Sequence, residues 1–514
     1  MPTLQSRPFW QRHIPARLRQ QALLLGLSVL LLLAVLVLLN TAQLRPIVFT
    51  RVVHDDPGIS ENIPGTVDLF DVSRAHSVSV EISAVEYAKM MDDFRRDGTK
   101  TWIRANVTID GTLLRSVGIR LKGNSTLGGL RGHSLGGRDA ETAWSPAQTR
   151  VGDAGTQPSS GRGRQGPGGM SSASFDDPAT LPLLLSFHKF ARGRAYQGRG
   201  ELAIRPAVGD GANLNEALAL QLIRDSGQAS QRYTWVQFRF NGSESRTRLV
   251  IENPDPSYAE GLGFGPGALF KSTSSNRFTY QGEDQTQYAE DFSQVSAKGS
   301  LDLAPVIGLL KFVEQADDAT FATQLPRWLD IESFARYVAT HELLGNFDDM
   351  AGPGRNFLLW YGADERRFRV ISWDLNLALL SALGGGPGGR RGPPSGGPAA
   401  NGVRPPVAEP WAPDRHFPRP RIGNRLKERF LAAPAYEATR ARARAELAAL
   451  WFGSGHAATV ARELAARVPR TRSGDEARIQ GEWAALQARL ETLAAQADGG
   501  ARGPTPASDR SASG

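Results

Sequence analysis

The chain has 514 residues, more than one hydrophobic core usually serves, so a principal domain with additions, or two or three domains, is expected. It contains no cysteine, which excludes disulfides, iron–sulfur clusters, thiolate zinc sites and cysteine nucleophiles. Lys and Arg outnumber Asp and Glu by 60 to 52, but six arginines precede Asp55, the first acidic residue. The remainder, at 54 against 52, is nearly neutral. We therefore expect no nucleic-acid partner.

An apolar run near the amino terminus is the clearest physical signal. Ala22 to Leu39 is interrupted only by Gly26 and Ser28, and its 18 residues would form a helix of about 27 Å, close to the thickness of a bilayer core. Four arginines precede the run and two follow it, which places the amino terminus in the cytoplasm. We expect a basic cytoplasmic segment over 1–20, a transmembrane signal anchor over 21–42 and an extracytoplasmic domain at the cell membrane. The alternative is a cleaved signal and a secreted protein.

Beyond a linker over 43–65, the residue patterns predict an α+β domain. Apolar alternation indicates strands, and turn pairs at Asp110-Gly111 and Asn241-Gly242 indicate hairpins. Helical spacing is found at Tyr87 to Phe94, Leu214 to Asp225, Leu301 to Gln315 and Ile331 to Leu344, and a strand pair at Phe357 to Tyr361 and Phe368 to Trp373.

Two long segments interrupt this domain, which we place over 66–452. Residues 128–180 and 384–418 are rich in Gly, Pro, Ser and Arg and poor in apolar residues, so burial would not offset the entropy of ordering them. The first is predicted to be a disordered insertion and the second a mobile loop. Ala- and Leu-rich helices over 453–497 form a predicted carboxyl-terminal extension, and 498–514 is predicted to be a disordered tail.

Acids and amides border the last predicted strand pair. A hairpin that starts after Asn356 and ends before Asp374 places both side chains at one end of a sheet, beside the loop that carries Asp348. Carboxylate and amide oxygens are the ligands that Mg²⁺ prefers, and a nearby aspartate could accept the proton of an attacking hydroxyl. The alternative is structural, with Asp348 and Asp349 capping a turn and Asn356 bonded to backbone.

Five motifs follow one another along the chain. They are Val117-Gly-Ile-Arg-Leu-Lys-Gly-Asn-Ser125, Phe187-His-Lys-Phe-Ala-Arg-Gly-Arg-Ala-Tyr-Gln-Gly198, Leu214-Asn-Glu-Ala-Leu-Ala219, Asn346-Phe-Asp348 with Asn356, and Trp373-Asp374-Leu-Asn376. Together they resemble the spore-coat protein kinase family called CotH, over roughly 67–450. The resemblance implies an atypical protein-kinase-like, two-lobed fold that binds ATP and Mg²⁺ or Mn²⁺. It implies transfer of the γ-phosphoryl group of ATP to Ser or Thr of envelope or coat proteins.

The resemblance also assigns roles to the residues of the last two motifs. Asp348 is similar to the catalytic-loop aspartate, and Asn356 to its metal-binding companion. Asp374 is similar to the aspartate that holds magnesium against the phosphates, and Asn376 is the third expected metal ligand.

ATP binding is assigned to Arg120 or Lys122, with Glu216 as the ion-pair partner that positions the cation. The alternative is that these three side chains are merely solvated, since lysines and helix glutamates are common on surfaces.

Two departures from the family pattern bear on activity. Asn376 stands where many relatives carry aspartate, which removes one negative charge and favours weaker metal binding. The stretch Ser245 to Glu252 lacks the Gly-aromatic strand entry of relatives. A catalytically inactive scaffold for envelope or coat assembly is therefore the alternative function. A zinc protease is excluded, because Gly345 replaces the second histidine of a His-Glu-x-x-His motif beginning at His341.

Overall fold

The structure is a computed structural model that describes residues 27–34, 58–123, 125–130, 173–206, 211–296, 303–380 and 423–501. Its contacts divide the chain into two units, 1–51 and 52–514.

The first unit is described only over 27–34, which are helical with exposed leucines. Among the described residues, no helix is long and apolar enough to cross a membrane. The structure therefore does not show the transmembrane helix predicted over 21–42, and most of that span lies outside the described residues.

The second unit is α+β, as predicted. Its strands are β1 (Glu61–Ile63), β2 (His76–Glu81), β3 (Ile103–Ile109), β4 (Thr112–Leu121), β5 (Leu183–Ser186), β6 (Arg194–Tyr196), β7 (Glu201–Ile204), β8 (Tyr233–Phe240), β9 (Arg246–Glu252), β10 (Gly267–Ser272), β11 (Phe292–Gln294), β12 (Phe357–Gly362) and β13 (Arg367–Ser372). Its helices are α1 (Ala84–Asp97), α2 (Leu214–Asp225), α3 (Pro256–Gly261), α4 (Ala304–Gln315), α5 (Asp318–Gln324), α6 (Ile331–Leu343), α7 (Arg425–Ala432), α8 (Glu437–Ala448), α9 (His456–Arg467) and α10 (Asp475–Ala501).

Seven strands form a closed barrel in the order β2-β3-β4-β5-β7-β9-β8. Neighbours pair antiparallel, except that β8 runs parallel to β2 and closes the sheet. This closure corrects the two-lobed kinase-like fold implied by the resemblance, because pairing of the first and last strands produces a barrel.

Both predicted turn pairs are found. Asp110 and Gly111, between β3 and β4, have φ of 48° and 82°, and Asn241 and Gly242, after β8, have φ of 47° and 72°. Two successive left-handed residues are typical of the type I′ turn, and the turn at Asp110 and Gly111 joins its two strands directly, because Ile109 pairs with Thr112.

A second, antiparallel sheet has the order β11-β10-β12-β13. Its predicted hairpin pairs Phe357 with Ser372, so the residues just outside it, Asn356 and Trp373, lie at one end. Helices α2 and α4 to α10 pack around this sheet and against the outward faces of β8 and β9 in the larger of two main apolar cores. The other main core fills the barrel.

Three segment boundaries differ from prediction. Residues 61–63, within the predicted linker, form β1 and pair with β6. Residues 173–180, within the predicted disordered insertion, are ordered because Phe175 and Ala179 are buried in the barrel core. The final helix continues to Ala501, past the predicted boundary at 497. The central part of the insertion and the segment 384–418 lie outside the described residues.

Candidate active site

A cavity of about 530 Å³ lies where the ends of β4, β7 and β13 meet the loop after α6. The charged and amide side chains among its lining residues are Lys122, Arg205, Asp348, Asp374 and Asn376. Four of these five residues were predicted from sequence, and the strand ends bring them together from positions up to 254 residues apart (376 minus 122).

Asp348 is held by its own loop. The backbone N–H of Gly354 donates to Asp348 Oδ1 at 2.5 Å, and Asn356 Nδ2 donates to Asp348 Oδ2 at 3.0 Å. A Cβ at Gly354 would lie 2.6 Å from the Asn356 amide nitrogen, so only glycine permits this close approach. The predicted pair Asp348 and Asn356 is therefore in direct contact.

Burial raises the pKa of Asp348 to about 6, and the nearby negative charges of Asp374 and Asp349 act in the same direction. The Gly354 N–H opposes the shift because it stabilises the carboxylate. Asp348 is thus poised to exchange a proton near neutral pH.

Asp374 follows β13 in a left-handed backbone conformation, with φ of 56°. Its carboxylate forms an ion pair with Arg205, and its side chain is 29% exposed. Burial alone would raise the pKa of Asp374, but Arg205, Lys122 and Lys271 outweigh that effect and lower it. Asp374 is therefore ionised at neutral pH.

Glu216 pairs with a cation, but with Arg205 rather than with Arg120 or Lys122, which corrects the predicted pairing. The Arg205 Nη2 to Glu216 Oε1 distance is 2.9 Å, and the glutamate side chain is only 2% exposed. Arg205 thus bridges Glu216 on α2 and Asp374 after β13. Burial raises the pKa of Glu216, and Arg205 opposes the rise.

Two lysines flank Trp373. Lys122 Nζ lies 5.4 Å from the centre of its ring and Lys271 Nζ lies 4.5 Å from it. Lys122 also donates to Asn253 Oδ1 at 2.7 Å. Burial lowers the pKa of both lysines, and the positive charges of neighbouring cations lower it further. An anion in the cavity would relieve this repulsion.

The remaining two predicted residues are placed differently. Arg120 does not line the cavity, and its guanidinium lies over the ring of Trp102, 4.9 Å from the centre. Asn376 lines the cavity, and its backbone carbonyl accepts from Asn215 Nδ2 at 2.8 Å. Asn215 lies on α2 beside Glu216, so α2 contacts both the ion pair and the loop after β13.

A buried histidine joins the two acidic segments. Asn346 Nδ2 donates to His341 Nδ1 at 3.0 Å, and the other ring nitrogen, Nε2, donates to Ser372 Oγ at 3.1 Å. His341 is 2% exposed. Burial lowers its pKa to about 4, so the ring is neutral at physiological pH. It therefore connects the loop of Asp348 to the strand end before Asp374.

The donor set fits a hard divalent cation. Asp348, Asp374 and Asn376 present oxygen atoms to one cavity, and Asn356 lies against Asp348. Oxygen ligands of this kind are those of Mg²⁺ and Mn²⁺. No cluster of three or more carboxylate or histidine side chains suited to a metal occurs in the described part of the chain, so such an ion would need amide, water or phosphate oxygens as well.

The family model described as CotH kinase protein matches residues 180–439, half of the chain. The chain belongs to the CotH kinase protein family. The CotH match contains Glu216, Asp348, Asn356, Asp374 and Asn376 but begins after Arg120 and Lys122. No curated protein matches the chain.

Sequence reasoning missed Arg205, Lys271 and His341. Arg205 and Lys271 are single cations at strands, and nothing in their spacing distinguishes them from surface residues. Arg205 lies 11 residues from Glu216 but 169 from Asp374, so only the tertiary structure reveals the bridge. His341 stands five residues before Asn346 and was singled out only as the first residue of the excluded zinc-protease pattern.

Proposed function

We propose that this CotH protein transfers the γ-phosphoryl group of ATP to Ser or Thr side chains of a protein substrate. The observation that carries the proposal is the shared cavity, in which Asp348 and Asp374 face Lys122 and Arg205. Phosphoryl transfer requires a proton acceptor, a charged anchor for the metal and cations for the phosphates, and this cavity supports all three.

Asp348 would accept the proton of the attacking hydroxyl, whose oxygen forms the new bond to the γ-phosphorus. The bond from that phosphorus to the bridging oxygen breaks, and ADP leaves. The raised pKa of Asp348, about 6, suits an acceptor that works near neutral pH.

Lys122 would neutralise phosphate charge, and Arg205 would hold Asp374 and Glu216 in place. Asp374 and Asn356, with Asn376, would hold Mg²⁺ or Mn²⁺, which lowers the charge of the phosphates when bound. Glu216 supports Arg205 rather than Lys122 in this scheme, because the buried ion pair is with the arginine.

The experiment is incubation of the protein with labelled ATP, Mg²⁺ or Mn²⁺, and a Ser-rich acceptor. We expect label on the acceptor, and we expect Asp374→Ala to abolish it while the variant stays folded. Asp364→Ala is the matched control, because Asp364 is an exposed carboxylate in the turn between β12 and β13. Absence of transfer in the wild type, with no thermal shift on adding ATP and metal, would refute the proposal.

A second candidate is a catalytically inactive scaffold for envelope or coat assembly. The ion pair of Arg205 with Asp374 favours it, since the arginine competes with a metal for the carboxylate, and Asn376 supplies one charge fewer than aspartate. In a scaffold, Asp374→Ala would leave partner binding intact and there would be no transfer to lose.

We further propose that the protein acts outside the cytoplasm, anchored in the cell membrane by residues 21–42. The apolar run and its flanking arginines support this location. Attachment of the protein to membranes, and its release into the soluble fraction when residues 1–42 are deleted, would test it.

A further inference from the structure

A second cavity, of about 410 Å³, lies between the barrel and the start of α10. Its lining combines β9, through Arg246, Thr247 and Arg248, with Arg472 and Arg478 from the carboxyl-terminal segment. It shares no lining residue with the candidate active site.

Positive charge dominates the lining, which contains four arginines and one acidic residue, Asp475. Arg246 forms an ion pair with Asp177, and Arg478 forms one with Asp475. Arg248 donates to backbone carbonyls, which carry no net charge, including that of Arg205 at 2.9 Å. Arginine therefore predominates among the described residues that line the cavity.

Arg472 is the residue that points to a ligand. Its Nε is buried and has no hydrogen-bond partner in the described part of the chain, which is costly for a charged donor. The backbone at Arg472 is anchored, because the N–H groups of Thr471 and Arg472 both donate to Asp475 Oδ2, at 2.7 and 2.8 Å. The buried Nε–H of Arg472 is therefore a donor that an anionic ligand could satisfy.

We infer that this arginine-lined cavity binds a phosphate group, as inorganic phosphate or as the monoester of a phosphorylated side chain. Guanidinium groups match the geometry of phosphate oxygens through paired N–H donors. The negative charge of a phosphate group would offset the excess of arginine in the lining. The inference does not depend on the proposed kinase activity.

The test is calorimetric titration of the full chain with inorganic phosphate at constant ionic strength, with chloride as the comparison anion. We expect saturable phosphate binding that Arg472→Gln weakens at least about tenfold, a change of about 1.4 kcal/mol. Arg472→Lys should retain an intermediate affinity, because it keeps the charge and loses the fork. The matched control is Arg462→Gln, since Arg462 is exposed on α9, away from the cavity lining.

A parallel titration with O-phosphoserine separates the two sources. Tighter Arg472-dependent binding of phosphoserine identifies a phosphorylated side chain as the ligand, and binding of inorganic phosphate alone identifies the free anion. Absence of saturable binding, or equal binding by wild type and Arg472→Gln, would overturn the inference. Loss of phosphate binding in Lys122→Met but not in Arg472→Gln would also overturn it, by assigning the phosphate to the candidate active site.

Discussion

Asp348 and Asp374 line one cavity, yet their surroundings shift their pKa values in opposite directions. Burial raises the pKa of Asp348 to about 6, whereas Arg205 and the lysines overcome burial and lower the pKa of Asp374. When the environments of two carboxylates push their pKa values apart in this way, one carboxylate typically exchanges a proton and the other stays ionised. In the proposed reaction Asp348 exchanges the proton, while Asp374 keeps its charge for a cation.

The rate of phosphoryl transfer should therefore rise with pH through an inflection near 6 and level off above about 7, because Asp348 accepts a proton only when ionised. The measurement is kcat/KM between pH 5 and 8. Asp348→Asn should lower the rate by about 10² to 10⁴ and remove the inflection. The same inflection in the residual activity of that variant would assign it to another group.

The buried ring of His341 should make the free energy of unfolding depend on pH. Because its pKa falls to about 4 in the folded chain, the unfolded chain binds the extra proton between about pH 6.5 and 4. The contribution of His341 to the free energy of unfolding should thus decrease by about 3 kcal/mol as the pH falls through that window. Urea denaturation of the wild type and His341→Gln measures it, since the difference between them should shrink toward pH 4. A difference independent of pH would contradict the buried neutral ring.

In the same variant, kcat should fall more than KM rises. His341 contacts Asn346 and Ser372 rather than the cavity, so its loss misplaces Asp348 without removing a group that binds substrate. A merely structural residue would lower the amount of folded protein and leave the kcat of the folded fraction unchanged.

At the scale of single elements, the turn after β8 tests the type I′ geometry. Gly242 has φ of 72° and open space where a Cβ would stand, so Gly242→Ala should cost about 1 kcal/mol of unfolding free energy from backbone strain alone. The control is Gly261→Ala at the end of α3, where φ is not positive and space is equally open. It should be neutral or slightly stabilising. Chemical denaturation of both variants gives the comparison.

Local elements could be predicted because their signals are local. The Asp-Gly and Asn-Gly turns require left-handed φ, and α2 and α6 have clear apolar spacing, so these features were found where expected. The ordered structure of residues 173–180 was not predicted, because the composition of this segment is polar. Only the contact with the barrel core buries Phe175. Closure of the barrel was missed because the pairing of β2 with β8 joins distant segments and leaves no local pattern.

In the candidate active site, too, the features that depend on local sequence were predicted and those that depend on tertiary contacts were not. Asp348, Asn356 and Asp374 border one hairpin and were predictable as a group. The partner of Glu216 was not predictable, because Arg205, Arg120 and Lys122 are all cations in or directly after strands and sequence alone does not rank them. Only the tertiary contacts show that Arg205 is the ion-pair partner of Glu216.

At the scale of the whole molecule, the last helix, α10, contacts the segment that leads into α2, the helix that carries Glu216. Glu482 on α10 accepts from the backbone N–H groups of Ala212 and Asn213, at 2.9 and 3.0 Å. These residues lead directly into α2, which carries Glu216. The carboxyl-terminal extension is thus continuous with the support of the cavity.

Glu482→Ala should lower the free energy of unfolding by about 1 to 3 kcal/mol, because it removes the acceptor of two backbone N–H groups and leaves them without that partner. It should also lower the transfer rate, since α2 and Glu216 lose their anchor. Glu491→Ala on the same helix is the control, because Glu491 is exposed and bonds only to Gln487 in the described residues. Equal effects of the two substitutions on denaturation and on transfer would contradict this support.

The parallel pairing of β8 with β2 also bears on how partners can dock. Each strand of the barrel has a neighbour on both sides, so none offers an unpaired row of backbone groups to an incoming extended peptide. Recognition by the barrel strands themselves should therefore use side chains and loops. The same closure protects these seven strands from edge-to-edge aggregation.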